Sequence, residues 1–136
     1  MANRQILTFQ ISDNTIGVDI DSLREINKSL YVTPVPRSKA HVAGVSNLRG
    51  RIVVVFDLAH FLGLKYENTD PCHIVLKEND VSLLADSINE TMNIQEDQIE
   101  PLSATVSGEK NKFFDGVLKT EKGLVKIINT KKILKL

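Results

Sequence analysis

Residues 44–64, with the sequence GVSNLRGRIVVVFDLAHFLGL, contain the clearest structural pattern in the chain. We predict a short strand over residues 45–48, a tight turn at Arg49 and Gly50, and a second strand over residues 51–56. The second strand is apolar on both faces, which is typical of a strand that is central in a sheet or lies between two layers. The stretch therefore predicts a hairpin whose second strand is central in a sheet.

The same stretch ends in a short capped helix. Asp57 is a suitable N-cap for a helix over residues 58–62, and Gly63 suits the position after its last turn. Asn129 is an equivalent N-cap for a closing helix over residues 130–136. Two strands that each run directly into a capped helix point to a repeated unit.

Working outward, alternating apolar residues between turn clusters predict further strands. They cover residues 6–11, 15–20, 72–77, 81–88, 113–119 and 124–128. Residues 23–26 fit either a strand or a short helical turn.

The connecting segments contain turn and loop residues. Pro34 and Pro36 predict an extended connector, and Ser38 is a candidate cap for a short helix that reaches Val42. Residues 102–112 are predicted to form a loop. The polar segment before that loop has a few apolar residues as possible anchors, namely Met92, Ile94 and Ile99.

Composition excludes several classes of protein. The 136 residues are 42% hydrophobic and 25% charged, a normal globular balance, and 17 basic residues offset 17 acidic ones. A neutral chain has no net field to attract nucleic acid or an anionic membrane. The single cysteine, Cys72, suits a reducing compartment. Without a signal peptide or an apolar run long enough to span a bilayer, we expect a cytoplasmic protein with no membrane insertion.

The chain repeats itself at an offset of 72 residues. Gly44 and Val45 align with Gly116 and Val117 without a gap, and Asp57 aligns with Asn129. The apolar positions of the following strand and helix also coincide. We therefore predict a mainly β fold of two pseudo-equivalent lobes, roughly residues 15–66 and 74–136, with the N-terminal strand shared or exchanged. Short strands and tight turns favour small curled barrels of about five strands, with short helices and a common hydrophobic core.

Residues with catalytic or metal-binding potential are few and scattered. The three histidines, His41, His60 and His73, have no partner at metal-ligand spacing, and no phosphate-binding glycine loop or nucleophile elbow is present. Asp19 and Asp21 are acidic residues near a strand end. We predict no catalytic residue, no cofactor and no metal.

Residues 44–58, GVSNLRGRIVVVFDL, resemble the signature of CheW-like domains from bacterial chemotaxis coupling proteins: G-V-x-N-L-R-G, an apolar strand, then D-L. Residues 9–11 and 16–20 are similar to that family's first hairpin, residues 23–26 to its V-x-E-I element, and residues 33–36 to its proline-bearing connector. Residues 129–134 match the end of the domain. The resemblance covers almost the whole chain.

This resemblance implies a single domain of two SH3-like five-stranded β-barrels around a shared core. It also implies a non-enzymatic scaffold. Such a scaffold joins the cytoplasmic tips of chemoreceptors (methyl-accepting chemotaxis proteins) to the regulatory domain of the histidine kinase CheA. The protein is then expected to be a monomer by itself, recruited to membrane-associated receptor arrays.

The family signature also directs attention to the predicted turn. Arg49 presents a planar donor fork suited to a carboxylate, and Gly50 supplies the backbone freedom that the turn needs. We hypothesise that Glu25 is the intramolecular partner of Arg49 or shares its contact surface. Asn47 is expected to hold the turn through its side chain.

Receptor tips are helical coiled coils, so their binding should use an apolar groove with a polar rim. Candidates for that groove are Leu23, Val45 and Ile52, any of which is equally suited to the core. Gly44 belongs to the same signature and completes the expected partner-binding set.

Three other functions remain open from the sequence. One is a CheW-like adaptor of a related receptor–kinase circuit, such as one for surface motility. A second is a small β-barrel enzyme that uses Asp19, Asp21 or Cys72. A third is an SH3-like nucleic-acid binder, which the zero net charge and few aromatic residues disfavour.

Overall fold

A computed structural model of the chain describes residues 3–28, 30–36, 41–102 and 112–135. Over these residues the protein is mainly β, as predicted, with two short helices. The elements are β1 (Asn3–Ile11), β2 (Asn14–Asp19), β3 (Leu23–Asn27), β4 (Val42–Leu48), β5 (Arg51–Phe56), α1 (Leu58–Leu62), β6 (Cys72–Leu76), β7 (Val81–Ala85), β8 (Ser87–Gln95), β9 (Phe114–Thr120), β10 (Gly123–Ile128) and α2 (Thr130–Leu134).

The strands form two five-stranded sheets with the same internal order. One sheet runs β8-β1-β2-β10-β9 and the other runs β3-β6-β7-β5-β4. In each, two antiparallel hairpins are joined by one parallel pair, β2 with β10 and β5 with β7. The prediction of two five-stranded β units is confirmed.

Each sheet belongs to its own compact unit. The first unit consists of Met1–Asp21 and Ile88–Leu136, and the second of Ser22–Ser87. The expected lobe boundaries, residues 15–66 and 74–136, cut across these units. The reason is that β1 and β2, at the start of the first copy of the repeat, pair with strands of the second copy, whereas β6 and β7, at the start of the second copy, pair with strands of the first.

Each unit has a core of aliphatic side chains. In the first unit these are Ile6, Ile94, Leu118, Val125 and Ile127, with Met92 and Ile99 packed against them. The polar segment that contains Met92 and Ile94 is largely the edge strand β8, and all three predicted anchors are used. In the second unit, Leu48, Val53 and Val75 form a cluster that Leu30 covers.

Strand β5 is central, between β4 and β7, but only one of its faces is buried. Val53 and Val55 are fully buried, whereas Ile52 is 59% exposed and Val54 is 36% exposed. The central position of this strand is confirmed, but the alternative that it lies between two layers is not, because one of its faces is exposed. Val53 and Val55 thus face the core of the unit, whereas Ile52 and Val54 lie on the outer face of β5.

The predicted helix caps are confirmed. The Asp57 carboxylate accepts a hydrogen bond from the His60 backbone N–H at 3.0 Å, and the Asn129 side chain accepts one from Lys132 at 3.1 Å. Gly63 has a left-handed φ of 74° at the end of α1. These local patterns specify the ends of both helices.

The structure resolves the alternatives for residues 23–26 and for the segment that ends at Val42. Residues 23–26 lie in strand β3, and Val42 is the first residue of β4 rather than the end of a helix. Ser38 and most of the predicted loop over residues 102–112 lie outside the described residues.

Candidate functional site

The turn between β4 and β5 is a two-residue loop in which both central residues have positive φ. Arg49 has a φ of 51° and Gly50 a φ of 87°, the combination of a type I′ hairpin turn. The Asn47 side-chain oxygen accepts a hydrogen bond from the Gly50 backbone N–H at 2.8 Å. Asn47 thus holds the turn, as expected.

Arg49 and Glu25 form a two-pronged ion pair. The two terminal guanidinium nitrogens donate to the two carboxylate oxygens of Glu25 at 2.6 Å and 3.1 Å. The hydrogen bond from Arg49 lowers the pKa of Glu25, and the same bond raises the pKa of Arg49. Paired charges with planar, parallel donors and acceptors resist separation better than a single surface contact does.

This ion pair joins the two ends of the second sheet. Glu25 lies on β3 and Arg49 follows β4, and these strands are the opposite edges of the order β3-β6-β7-β5-β4. The contact therefore shows that the sheet curls until its edges approach each other, as in a small barrel. Arg49 remains 72% exposed while Glu25 is 21% exposed, so the arginine still presents a face to solvent.

Gly44 allows the proline-bearing connector to lie directly against β4. Thr33 and Val45 exchange backbone hydrogen bonds of 2.8 Å and 2.9 Å. A Cβ atom on Gly44 would lie 2.2 Å from the carbonyl oxygen of Thr33, which is closer than any real contact. Gly44 thus has a structural role beside the turn, and a side chain there would displace the connector.

The apolar candidates occupy different environments. Ile52 is opposite Asn47 and Val54 is opposite Val45 in the β4–β5 pairing, so the outer face of this hairpin combines two exposed aliphatic residues with the base of the Arg49 turn. Val45 is partly buried there. Leu23, also partly buried, lies on β3 and is paired with Leu76.

Of the three residues suggested for an enzyme, Asp19 is engaged in an ion pair and Cys72 is buried. Asp19 accepts two hydrogen bonds of 3.0 Å from Arg4, which also donates to Asp115 at 2.9 Å. Cys72 is buried, and burial raises the pKa of its thiol, which disfavours the nucleophilic thiolate. Asp21 lies exposed in a short 3-10 turn.

Two contacts among the histidines were not foreseen. His41 and His60 meet through their Nδ1 atoms at 2.9 Å, and His73 lies within 3.3 Å of the Ser82 hydroxyl in the interior. Both contacts join residues from different elements, so no local sequence spacing reveals them. In the described ranges, no three His, Cys, Asp or Glu side chains come together as a metal site.

In the first unit, the turn between β9 and β10 is equivalent to the β4–β5 turn but has a different ion pair. There Lys122 lies 3.7 Å from Glu90 on β8, a looser and more exposed pair than the one at Arg49. A cavity of about 510 Å³ opens beside it, lined in part by Thr8, Gln10 and Leu124. None of the predicted partner-binding residues lines this cavity. The helices of the described chain are too short or too polar to cross a membrane.

Comparison with known proteins gives a consistent result. The sequence-family model of the CheW-like domain matches residues 5–136 of this chain. The chain is 31% identical over 133 residues to the chemotaxis protein CheW of Thermotoga maritima, covering 96% of this chain and 87% of that protein. It is 33% identical over 135 residues to the chemotaxis protein CheW of Helicobacter pylori, covering 96% and 81%. The crystal structure of the scaffolding protein TtCheW from Thermoanaerobacter tengcongensis superimposes with a TM-score of 0.84 at 27% identity, covering 94% and 85% of the two chains.

Proposed function

The chain belongs to the CheW-like domain family, and we propose that it is a non-enzymatic scaffold that couples chemoreceptors to a chemotaxis histidine kinase. Its partners are the cytoplasmic tip of the receptor and the regulatory domain of the kinase CheA. It acts in the cytoplasm at membrane-associated receptor arrays. The similarity to chemotaxis proteins over nearly the full chain supports this proposal.

The observation that carries the proposal is the exposed surface at the β4–β5 hairpin. Ile52 and Val54 expose aliphatic side chains on an ordered strand, next to the braced Arg49 turn. An apolar centre with a charged, hydrogen-bonding rim is the usual composition of a protein-binding surface. Because the Arg49–Glu25 pair is already formed, little side-chain freedom is lost when a partner binds.

Arg49 retains donor capacity for that partner. A guanidinium carries five N–H donors in a fixed fork, and two of its nitrogens are directed at Glu25. With most of its surface exposed, the remaining donors can meet a carboxylate or carbonyl of a second protein. Glu25 then orients the fork, and Asn47 and Gly50 fix the turn that presents it.

Co-sedimentation of this protein with a receptor cytoplasmic fragment and a kinase regulatory domain tests the proposal. We expect both partners to be retained by the wild type, and Arg49→Glu to reduce retention of at least one of them. Lys122→Glu reverses a charge in the equivalent turn of the first unit and is the matched control. The coupling function is rejected if the wild type retains neither partner. The assignment to this turn is rejected if Arg49→Glu and Lys122→Glu behave alike.

A further inference from the structure

His41 and His60 approach each other although 19 residues separate them in the chain. Their Nδ1 atoms lie 2.9 Å apart, with the ring centroids 5.0 Å apart and the ring planes inclined by 48°. His41 lies in the turn that precedes β4, and His60 lies on α1, both within the second unit. The proposed coupling surface uses neither residue.

Both histidines are held in place by their surroundings. Asp57 connects their backbones, because its N–H donates to the His41 carbonyl at 2.6 Å and its carboxylate accepts from the His60 N–H at 3.0 Å. The His41 ring also meets Phe61 edge-on, with centroids 5.1 Å apart. The two imidazoles are therefore positioned before any ligand arrives, as a binding site requires.

The separation of the two nitrogens has a specific chemical meaning. At 2.9 Å, one Nδ1–H can donate to the other Nδ1, and a metal cation can take the place of that proton. Two nitrogens about 2.0 Å from one metal ion are about 2.8 Å apart at the right angle of a tetragonal site, and about 3.3 Å apart at the tetrahedral angle. The two nitrogens are therefore no farther apart than two ligands of one metal ion, and affinity for imidazole ligands rises along the first-row divalent metals to Ni²⁺ and Cu²⁺.

We propose that His41 and His60 form a two-histidine chelate for a divalent cation of the copper and nickel class. Water completes the coordination, since the Asp57 carboxylate is already engaged by the His60 N–H and by Tyr66. The site is a bidentate one, in agreement with the absence of any three-residue ligand set among the described residues.

The bound cation would tie the turn before β4 to α1. A ligand that binds only the folded state stabilises it by mass action, so Ni²⁺ at about 100 times its Kd shifts the unfolding equilibrium about 100-fold. The thermal midpoint of the wild type should therefore rise with added Ni²⁺. This inference does not depend on the coupling function and survives its failure.

Titration of Ni²⁺ into the untagged full chain at pH 7.5 tests the site by calorimetry. We expect one equivalent to bind, and the affinity to fall at least about tenfold in His60→Gln and in His41→Asn. Asparagine is chosen at position 41 because it tolerates the left-handed φ of 74° found there. Lys65→Gln, an exposed substitution near the end of α1, should leave Ni²⁺ binding unchanged.

The thermal midpoints of the two histidine variants without Ni²⁺ show whether they remain folded. A wild type that binds no Ni²⁺ overturns the proposal. So does a folded His41→Asn or His60→Gln variant that keeps wild-type affinity and still gains thermal stability from Ni²⁺.

Discussion

Arg49 combines an uncommon backbone conformation with a committed side chain. A non-glycine residue with positive φ is unusual, and here it lets the guanidinium reach across to Glu25 on the opposite edge of the sheet. The same residue keeps most of its surface in solvent. It can therefore act in two ways, by closing the barrel and by contacting a partner.

Exchanging the two charges separates these roles. Arg49→Glu combined with Glu25→Arg keeps an ion pair across the edges, so we expect the urea midpoint of the double variant to recover most of what Arg49→Glu loses. Retention of the kinase domain or receptor fragment should stay low, because the exposed guanidinium has moved. Full recovery of retention in the double variant would contradict a direct contact by Arg49.

Gly44 is expected to be far more sensitive to substitution than Gly50. In Gly44→Ala the new methyl group collides with the Thr33 carbonyl, so the connector must move at a cost of about 1–3 kcal/mol in the free energy of unfolding. No atom lies near a Cβ at Gly50, and Gly50→Ala should cost only about 1 kcal/mol from its left-handed φ. Urea denaturation of both variants provides the comparison, and equal losses would argue against a close approach at Gly44.

His73 should make stability depend on pH. It is 2% exposed, and burial lowers its pKa below the ordinary 6.5. The unfolded chain therefore binds a proton more readily than the folded one. The free energy of unfolding should be highest above pH 6.5 and fall as the pH drops from 6.5 toward the lower folded-state pKa. The His73 contribution is the part of the difference in unfolding free energy between pH 7.5 and pH 5.5 that His73→Gln removes.

At the scale of elements, β5 shows how one strand serves both folding and binding. Residues 52–55 are all aliphatic, yet they alternate between an exposed face and a core face. We expect Val53→Thr to destabilise the protein by about 1–3 kcal/mol, because it buries a hydroxyl in the core. Ile52→Thr should change stability by less than about 0.5 kcal/mol.

Ile52→Thr, which should barely change stability, is expected to weaken binding to the partners. Ile52→Thr removes apolar area from the proposed contact surface, so co-sedimentation with the partners should weaken while the fold is kept. Leu124→Thr is the control, since Leu124 is 60% exposed at the equivalent position of the repeat. Equal losses in the two variants would show that the surface is not specific to the second unit.

At the scale of the whole molecule, the two copies of the repeat exchange their hairpins. We number β1 to β5 as strands 1 to 5 of the first copy and β6 to β10 as strands 1 to 5 of the second. Both sheets then have the order 3-1-2-5-4. In each sheet, strands 3, 4 and 5 come from one copy and strands 1 and 2 from the other. The bridges that flank the glycines repeat as well, with Thr33 beside Val45 and Glu100 beside Val117. The structural unit and the sequence repeat are therefore different segments of the chain.

Fragments should follow the structural units rather than the repeat. Residues 22–87 contain every strand of one sheet, and we expect this fragment to keep β structure and to unfold cooperatively, with marginal stability for its size. Residues 1–66 contain one copy of the repeat but lack β6 and β7, and should not fold. Circular dichroism during urea unfolding distinguishes them, and a folded 1–66 fragment beside an unfolded 22–87 fragment would contradict the exchange.

The sequence by itself determined the features that depend on neighbouring residues. Strand periodicity, the Arg49–Gly50 turn and the caps at Asp57 and Asn129 are local, because turn conformation and capping act over a few residues. The 72-residue repeat is visible when the sequence is aligned with itself. The resemblance of residues 44–58 to the family signature then connected those elements to a fold and a function.

Only the tertiary structure decided how the distant segments combine. The hydrophobic pattern of a hairpin does not show whether it pairs with strands of its own copy or of the other copy, because the strands at which it could pair are aliphatic in both copies. For the same reason the exposure of Ile52, and the meeting of His41 with His60, follow from which strands become neighbours. Glu25 was inferred as the partner of Arg49, but the two-pronged bond exists only because the sheet curls until β3 and the β4–β5 turn meet.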